Sequence, residues 1–417
     1  MCDENKRLKS YLVRKKVFAL LFVLLLFVYA GYNLYLNHKI YVDALKKEWN
    51  TVVSNAEIKQ SNIAKLEDVL TTNTLGRMHF LETYSYCQVL MDKREINNFK
   101  YIKDETGSLH YASFFRENET DCFNYAMRVK RLKDYVEKNG TQVLFVVAPT
   151  KYVAKDSRLR AGLPINNPQI IVDELLFYLN RLGVDTLDLN LYIPGKNVSY
   201  EDAFFKTDHH WTIDAAYEST KILVDKMNNL YNYDMDTDRF LADDSYTRVV
   251  YKGGMLGSMG RGSGANFSGV DDYAAYFPNF SNNYTRESLE ENGDILRREG
   301  DTLDTIILPS VLKNSDIYSD SQYSVYLNGL RQYEKIVNLN NPDGKKIFMI
   351  RDSYFSPVIS FMAPLCGEVE AMWSLEDRDE LDIEEYIRNN EFDCIIMEIY
   401  PYNINDEAFR FFMEEGE

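Results

Sequence analysis

Apolar residues are arranged in three different ways along the chain, and each predicts a different kind of element. From Val17 to Leu36 (VFALLFVLLLFVYAGYNLYL) they are nearly continuous, and no charge interrupts them. About twenty helical residues span roughly 30 Å, the thickness of a bilayer's hydrocarbon core. From residue 39 to about 72 the apolar positions Val42, Leu45, Trp49, Val52, Ala56, Ile63, Leu66 and Leu70 recur at spacings dominated by three and four. That period predicts an amphipathic helix, which reads equally as a stalk, a dimerising coil or a first helix packed on the main domain. Beyond residue 76 short apolar runs alternate with helical patterns. Gln142–Ala148 (QVLFVVA), bounded by Gly140 and Pro149, predicts a strand buried on both faces. Asp185–Leu189, Lys346–Ile350, Glu368–Trp373 and Cys394–Ile399 predict further strands. Helices are expected around 125–136, 170–182, 357–365 and 383–388, and after Thr212. This alternation predicts an α/β domain with a mostly parallel sheet and helices on both faces. Ligands of such sheets gather at the carboxyl ends of the strands. Residues of about 240–300, rich in Gly, Ser, Asn and Asp, predict an insertion of loops and short strands near that edge.

Charge sets the orientation of the amino-terminal helix. Lys6, Arg7, Lys9, Arg14, Lys15 and Lys16 precede the apolar run, which by the positive-inside rule holds a leader of residues 1–16 in the cytoplasm. The expected order is then a transmembrane helix at 17–37, an amphipathic helical stalk at 38–75 and an extracytoplasmic domain at 76–417. The chain would be a single-pass protein of the cytoplasmic membrane, held by its own anchor. A cleaved signal peptide ending near Val28-Tyr29-Ala30 is disfavoured, because apolar residues continue to Leu36. The whole chain of 417 residues carries a net charge of −17, which argues against a nucleic-acid partner. Its five cysteines are too scattered to form a disulfide scaffold or a zinc site.

Two segments carry chemistry. In Phe204-Phe-Lys-Thr-Asp-His-His-Trp-Thr212 an aspartate two residues before a histidine can turn back and hold one imidazole nitrogen, leaving the other as a base. In Met349-Ile-Arg-Asp-Ser-Tyr-Phe355 a serine stands between a strand and a helix, where its hydroxyl is presented at the edge of the sheet. A serine needs a neighbouring base before it attacks, and a histidine near its ordinary pKa of about 6.5 suits that task. Asp208, His209 and His210 would need distant carboxylates to complete a metal sphere, so no metal and no cofactor are expected.

Thr207-Asp-His-His-Trp-Thr212 together with Arg351-Asp-Ser-Tyr354 resembles the Asp-His-His-Trp family of the SGNH hydrolase-like superfamily. That family is related to the acetyltransferases that decorate alginate and other exported polysaccharides. Ala148-Pro-Thr-Lys151, Gly257-Ser-Met-Gly-Arg-Gly262 and Asp271-Asp272 fit the same pattern, and the resemblance spans roughly residues 76–405. It implies an SGNH hydrolase-like fold in which Asp208 orients His210, His210 is the base, Ser353 is the nucleophile and Trp211 packs the loop. The family's serine block commonly begins Gly-Asp-Ser. Arg351 at the glycine position implies either that the backbone there needs no positive φ or that Arg351 has a role of its own, such as binding an anionic sugar. Tyr400 and Asn403 are expected as oxyanion or substrate contacts.

The resemblance implies an O-acetyltransferase acting on a polysaccharide acceptor, with a multi-span membrane acyl carrier as the donor. An esterase with the same triad, or a non-catalytic polysaccharide-binding or assembly protein, are the alternatives.

Overall fold

A computed structural model describes residues 2–55, 60–112, 121–151, 163, 167–193, 198–290, 293–313, 316–374 and 382–413. The chain divides into two units, Met1–Tyr84 and Ser85–Glu417. In the first, one uninterrupted helix runs from Cys2 to Asn55 and a second from Gln60 to Thr72. The apolar stretch and the start of the amphipathic stretch are therefore one helix, long and apolar enough to cross a membrane. Along it Phe18, Leu20, Leu25 and Phe27 are exposed, side chains that water would not leave uncovered.

The strands of the second unit, in chain order, are β1 (Glu95–Ile96), β2 (Tyr101–Lys103), β3 (Leu109–Tyr111), β4 (Gln142–Val147), β5 (Asp185–Asp188), β6 (Tyr246–Met255) and β7 (Asp271–Pro278). There follow β8 (Asn283–Leu289), β9 (Ile295–Asp301), β10 (Tyr333–Asn338), β11 (Lys346–Arg351), β12 (Glu368–Trp373) and β13 (Cys394–Ile399). The main sheet has the order β5-β4-β13-β11-β12-β10-β8-β9. Its first five strands are parallel and are the five that the apolar runs predict. Strands β10, β8 and β9 extend it antiparallel.

Side chains alternate across this sheet as a pleated backbone requires. Val143, Phe145 and Val147 join one core with the helices Cys122–Val136, Gln169–Arg181 and Ile383–Asn389. Leu144, Val146 and Ala148 join the other with Ile213–Tyr231 and Ser356–Met362. Burial on both faces explains why these strands read as unbroken apolar runs. The expected insertion is more regular than loops and short strands. The long β6 and β7 pair as a hairpin, and β8 and β9 belong to the main sheet. Its Gly-rich stretch, folded as the short helices Ser258–Ser263 and Ala265–Ser268, and the start of β7 lie against the loop 204–212 that carries the Asp-His-His-Trp tetrad.

Candidate active site

The loop 204–212 is closed by backbone pairing. Phe204 bridges Trp211, and the Thr212 N–H donates to the Ala203 carbonyl at 2.8 Å. Thr212 then caps the following helix by accepting from the Ala215 N–H. The Asp271 carboxylate grips the inside of the loop, accepting the N–H groups of Lys206 (3.0 Å) and Thr207 (2.8 Å) and the Thr207 hydroxyl (2.6 Å). The Gly-rich stretch closes over it, with the Gly257 N–H donating to Thr207 Oγ1 (2.8 Å) and the Ser258 N–H to Asp208 Oδ2 (2.5 Å).

Asp208 is thereby aimed. Its Oδ1 accepts the His210 backbone N–H at 3.1 Å and faces His210 Nδ1 at 2.6 Å. With Nδ1–H donating to the carboxylate, Nε2 is left to accept the Ser353 hydroxyl, 2.7 Å away and 143 residues later in the chain. Burial opposes ionisation of Asp208, yet the two adjoining imidazoles hold its carboxyl well below the usual range. Burial and the neighbouring His209 push His210 below its ordinary value, Asp208 pulling the other way. The imidazole is therefore neutral and basic near neutral pH, and the arrangement can take a proton from Ser353 as that oxygen attacks a carbonyl.

Aromatic packing fixes both partners. Trp211 is fully buried and donates through Nε1 to the Tyr323 hydroxyl (2.9 Å) and the Tyr354 carbonyl (3.1 Å). The Tyr323 ring stacks on the His210 ring with centroids 4.3 Å apart. The Tyr354 hydroxyl donates to the His209 carbonyl. Nothing in the local sequence around Tyr323 marks it out, because its partners lie more than thirty residues away.

Ser353 starts a short helical turn at the carboxyl end of β11, where the strand–turn–helix pattern places it. Asp352 ties this turn to the one after β13. It accepts from the Tyr354 N–H (2.9 Å), the Tyr400 N–H (2.9 Å) and Asn403 Nδ2 (3.0 Å), while its own N–H donates to Glu398 (2.9 Å). Burial, followed by the Asp352 charge, raises the Glu398 carboxyl well above the usual range.

The other three predicted contacts are placed differently from one another. Arg351 cannot meet a sugar: it is fully buried, and its Nη2 lies 2.6 Å from Glu334, which also pairs with Arg286 at 2.9 Å. Strand alternation sets this direction, since Arg351 shares a face with Ile347 and Met349, which belong to one core. Asn403 has its amide on Asp352 and serves the turn. The Tyr400 ring stacks on Tyr354 at 4.6 Å and, with Tyr111, His209 and Tyr402, lines a small recess. Ligand atoms of Asp208, His209 and His210 lie within 4.8 Å of one another. Both Asp208 oxygens and both His210 nitrogens are, however, already engaged by Ser258, by each other and by Ser353.

Gly257 is required by space. A Cβ on it would fall 2.3 Å from the Asp208 Cβ and 2.5 Å from the Thr207 carbonyl. Gly257→Ala is expected to displace the Asp208 side of the loop and lower kcat/KM for an ester by on the order of 100-fold, the usual effect of about 1 Å of misplacement. Ester hydrolysis kinetics of the folded variant check this.

Residues 109–303, a little under half of the chain, match the family model described as "SGNH hydrolase-like domain, acetyltransferase AlgX". The match includes Asp208 and His210 and ends before Ser353. No curated protein matches the chain. Among solved structures, Bacillus cereus PatB1 with a sulfonyl adduct superposes with a TM-score of 0.61 and 17% identity, covering 76% of this chain and 99% of that one. A DHHW family protein from Eubacterium siraeum gives a TM-score of 0.53 and 18% identity, covering 75% of this chain and 94% of that one. The chain therefore has an SGNH hydrolase-like α/β fold, and over residues 109–303 it is similar to the AlgX-type acetyltransferase domain.

Proposed function

We propose that this protein is a membrane-anchored, extracytoplasmic O-acetyltransferase that adds acetyl to hydroxyls of a polysaccharide. The observation carrying the proposal is the hydrogen-bonded line from Asp208 through His210 to Ser353, with links of 2.6 and 2.7 Å. Ser353 Oγ attacks the acetyl carbonyl while its proton passes to His210 Nε2. The tetrahedral species collapses, the leaving oxygen takes that proton, and the acetyl remains on Ser353. An acceptor hydroxyl then attacks, giving its proton to His210, which returns it to Ser353 as the acetylated acceptor departs. Asp208 holds the imidazole in the required tautomer and stabilises its charged form.

Beside His209, the rings of Tyr111, Tyr400 and Tyr402 offer the flat apolar faces on which sugar rings rest, and Tyr111 is 37% exposed. The basic leader before the apolar helix supports an anchor with the domain outside. Acetyl-CoA is absent there, so a multi-span membrane carrier is the proposed donor.

Incubating the full-length detergent-solubilised protein with p-nitrophenyl acetate and a panel of oligosaccharides tests the proposal. p-Nitrophenol release accompanied by oligosaccharides heavier by one acetyl group, seen by mass spectrometry, is expected. Release of acetate alone with every acceptor would mean an esterase, and no turnover at all a binding protein.

A further inference from the structure

The segment Ala148-Pro-Thr-Lys151 leaves the end of β4 and ends in a charge that takes no part in the transfer of acetyl through Ser353 and His210. Lys151 is buried, and its ammonium donates to main-chain carbonyls: Leu109 at 2.8 Å, Phe205 at 2.6 Å, Asp208 at 2.8 Å and, more weakly, Lys206 at 3.4 Å. An ammonium has three protons to give, so these carbonyls replace its hydration shell. Burying a charge is costly unless such partners hold it. Three of the four carbonyls belong to the loop that carries Asp208 and His210, and the fourth to β3 beside it. The carbonyl of Asp208 stands two peptides before the His210 ring.

We infer that Lys151 is a positioning residue for the triad, its ammonium clamping the carbonyls of Phe205, Lys206 and Asp208 so that Asp208 and His210 line up on Ser353. Lys151 touches none of the reacting atoms. It acts by fixing the carbonyls of the loop, as Asp271 and the Gly257–Ser258 amides fix its N–H groups, the Thr207 hydroxyl and the Asp208 carboxylate. The inference rests on the triad reading but not on the choice between transferase and esterase.

The clamp needs a charged ammonium. Burial lowers Lys151 to about 8, against the pull of Asp271 on β7, Asp208 on the loop and Asp104 in the β2–β3 turn. His209 and Tyr402 line the same recess as Lys151, and Glu201 and Lys206 line a second pocket with it. Burial holds His110 on β3 below its ordinary value against its partner Asp104, whose own carboxyl is also lowered. Tyr111 and Tyr400 are raised by burial. The clamp is thus intact below pH about 8 and loosens as pH rises through that value.

The test uses full-length protein and two readouts. In proton NMR spectra, the low-field resonance of His210 Nδ1–H bonded to Asp208, identified by its absence in His210→Gln, should disappear in folded Lys151→Met. For p-nitrophenyl acetate, Lys151→Met should lower kcat by on the order of 100-fold with KM little changed. Lys151→Arg should recover much of kcat and move the alkaline limb of the pH profile upward, because guanidinium keeps its proton. A folded Lys151→Met with the resonance in place and the wild-type alkaline limb would overturn the inference. If Lys151→Met does not fold, an unmoved alkaline limb in Lys151→Arg overturns it. Should no ester be turned over by any form, the catalytic reading falls, and the resonance alone decides whether Lys151 sets the loop.

Discussion

Ser353→Ala is expected to lower kcat/KM for p-nitrophenyl acetate by about 10³–10⁶-fold, with His210→Ala falling by nearly as much and the double variant little further. The two groups act as one unit: without the imidazole the hydroxyl keeps its proton, and without the hydroxyl the imidazole has nothing to deprotonate. The 2.7 Å contact between them is the physical basis for this non-additivity. Asp208→Asn should cost about 10⁴-fold, because an amide at 2.6 Å from Nδ1 favours the wrong tautomer. The pH profile adds a signed expectation. The reaction needs neutral His210, whose pKa is held below its ordinary value by burial and then by His209. Activity should therefore be lost as pH falls through a value below about 6.5, the ordinary figure for histidine. Steady-state kinetics across pH, on variants whose folding is verified by circular dichroism, check both. Additive losses in the double variant, or full turnover by Ser353→Ala, would remove Ser353 from the nucleophile's place.

The parts of this protein that sequence reveals are those whose signal is local. Strands β4, β5, β11, β12 and β13 read as short apolar runs, and Asp208 and His210 lie two positions apart, within one turn of loop. Strands β8 (NYTRESL), β9 (ILRREGD) and β10 (YEKIVN) do not announce themselves. They lie at the partly exposed side of the sheet, and two inward positions that an apolar pattern would fill carry Arg286 and Glu334 instead. The charge pattern suggests a surface where there is a buried ion pair. The roles of the site's supports are hidden for another reason, although the family pattern includes the segments of Lys151 and Gly257. Tyr323, Gly257 and Lys151 each act on the loop 204–212 from more than forty residues away. Only the closed tertiary structure makes a tyrosine a ring partner, a glycine a space requirement and a lysine a clamp. Arg351 is the case where a legible signal pointed elsewhere. Its deviation from the family's glycine suggested a ligand, while strand alternation already placed it on an inward face.

That burial makes a strong stability prediction. Glu334 stands between two arginines, with Oε1 taking Arg351 Nη2 at 2.6 Å and Oε2 taking Arg286 Nη2 at 2.9 Å and Nε at 3.1 Å. All three side chains are almost fully buried. Glu334→Gln should destabilise the protein by about 3–5 kcal/mol, because the one carboxylate that pairs directly with both buried guanidinium groups is then lost. Arg351→Met should cost less. Arg286 still neutralises Glu334, and the new side chain fills much of the same volume, so the loss is confined to one unsatisfied carboxylate oxygen, about 1–3 kcal/mol. Replacing all three residues by apolar ones of similar size should recover much of the loss, since a buried ion pair gains little over well-packed hydrophobic groups. Urea unfolding followed by circular dichroism gives the order Glu334→Gln, then Arg351→Met, then wild type in rising midpoint. An Arg351→Met variant as stable as wild type, but with a raised KM for oligosaccharide acceptors, would return Arg351 to ligand binding and contradict the burial argument. In its structural role Arg351 joins β11 to β10, so the strand that presents Ser353 is anchored to the antiparallel half of the sheet by charge rather than by apolar packing alone.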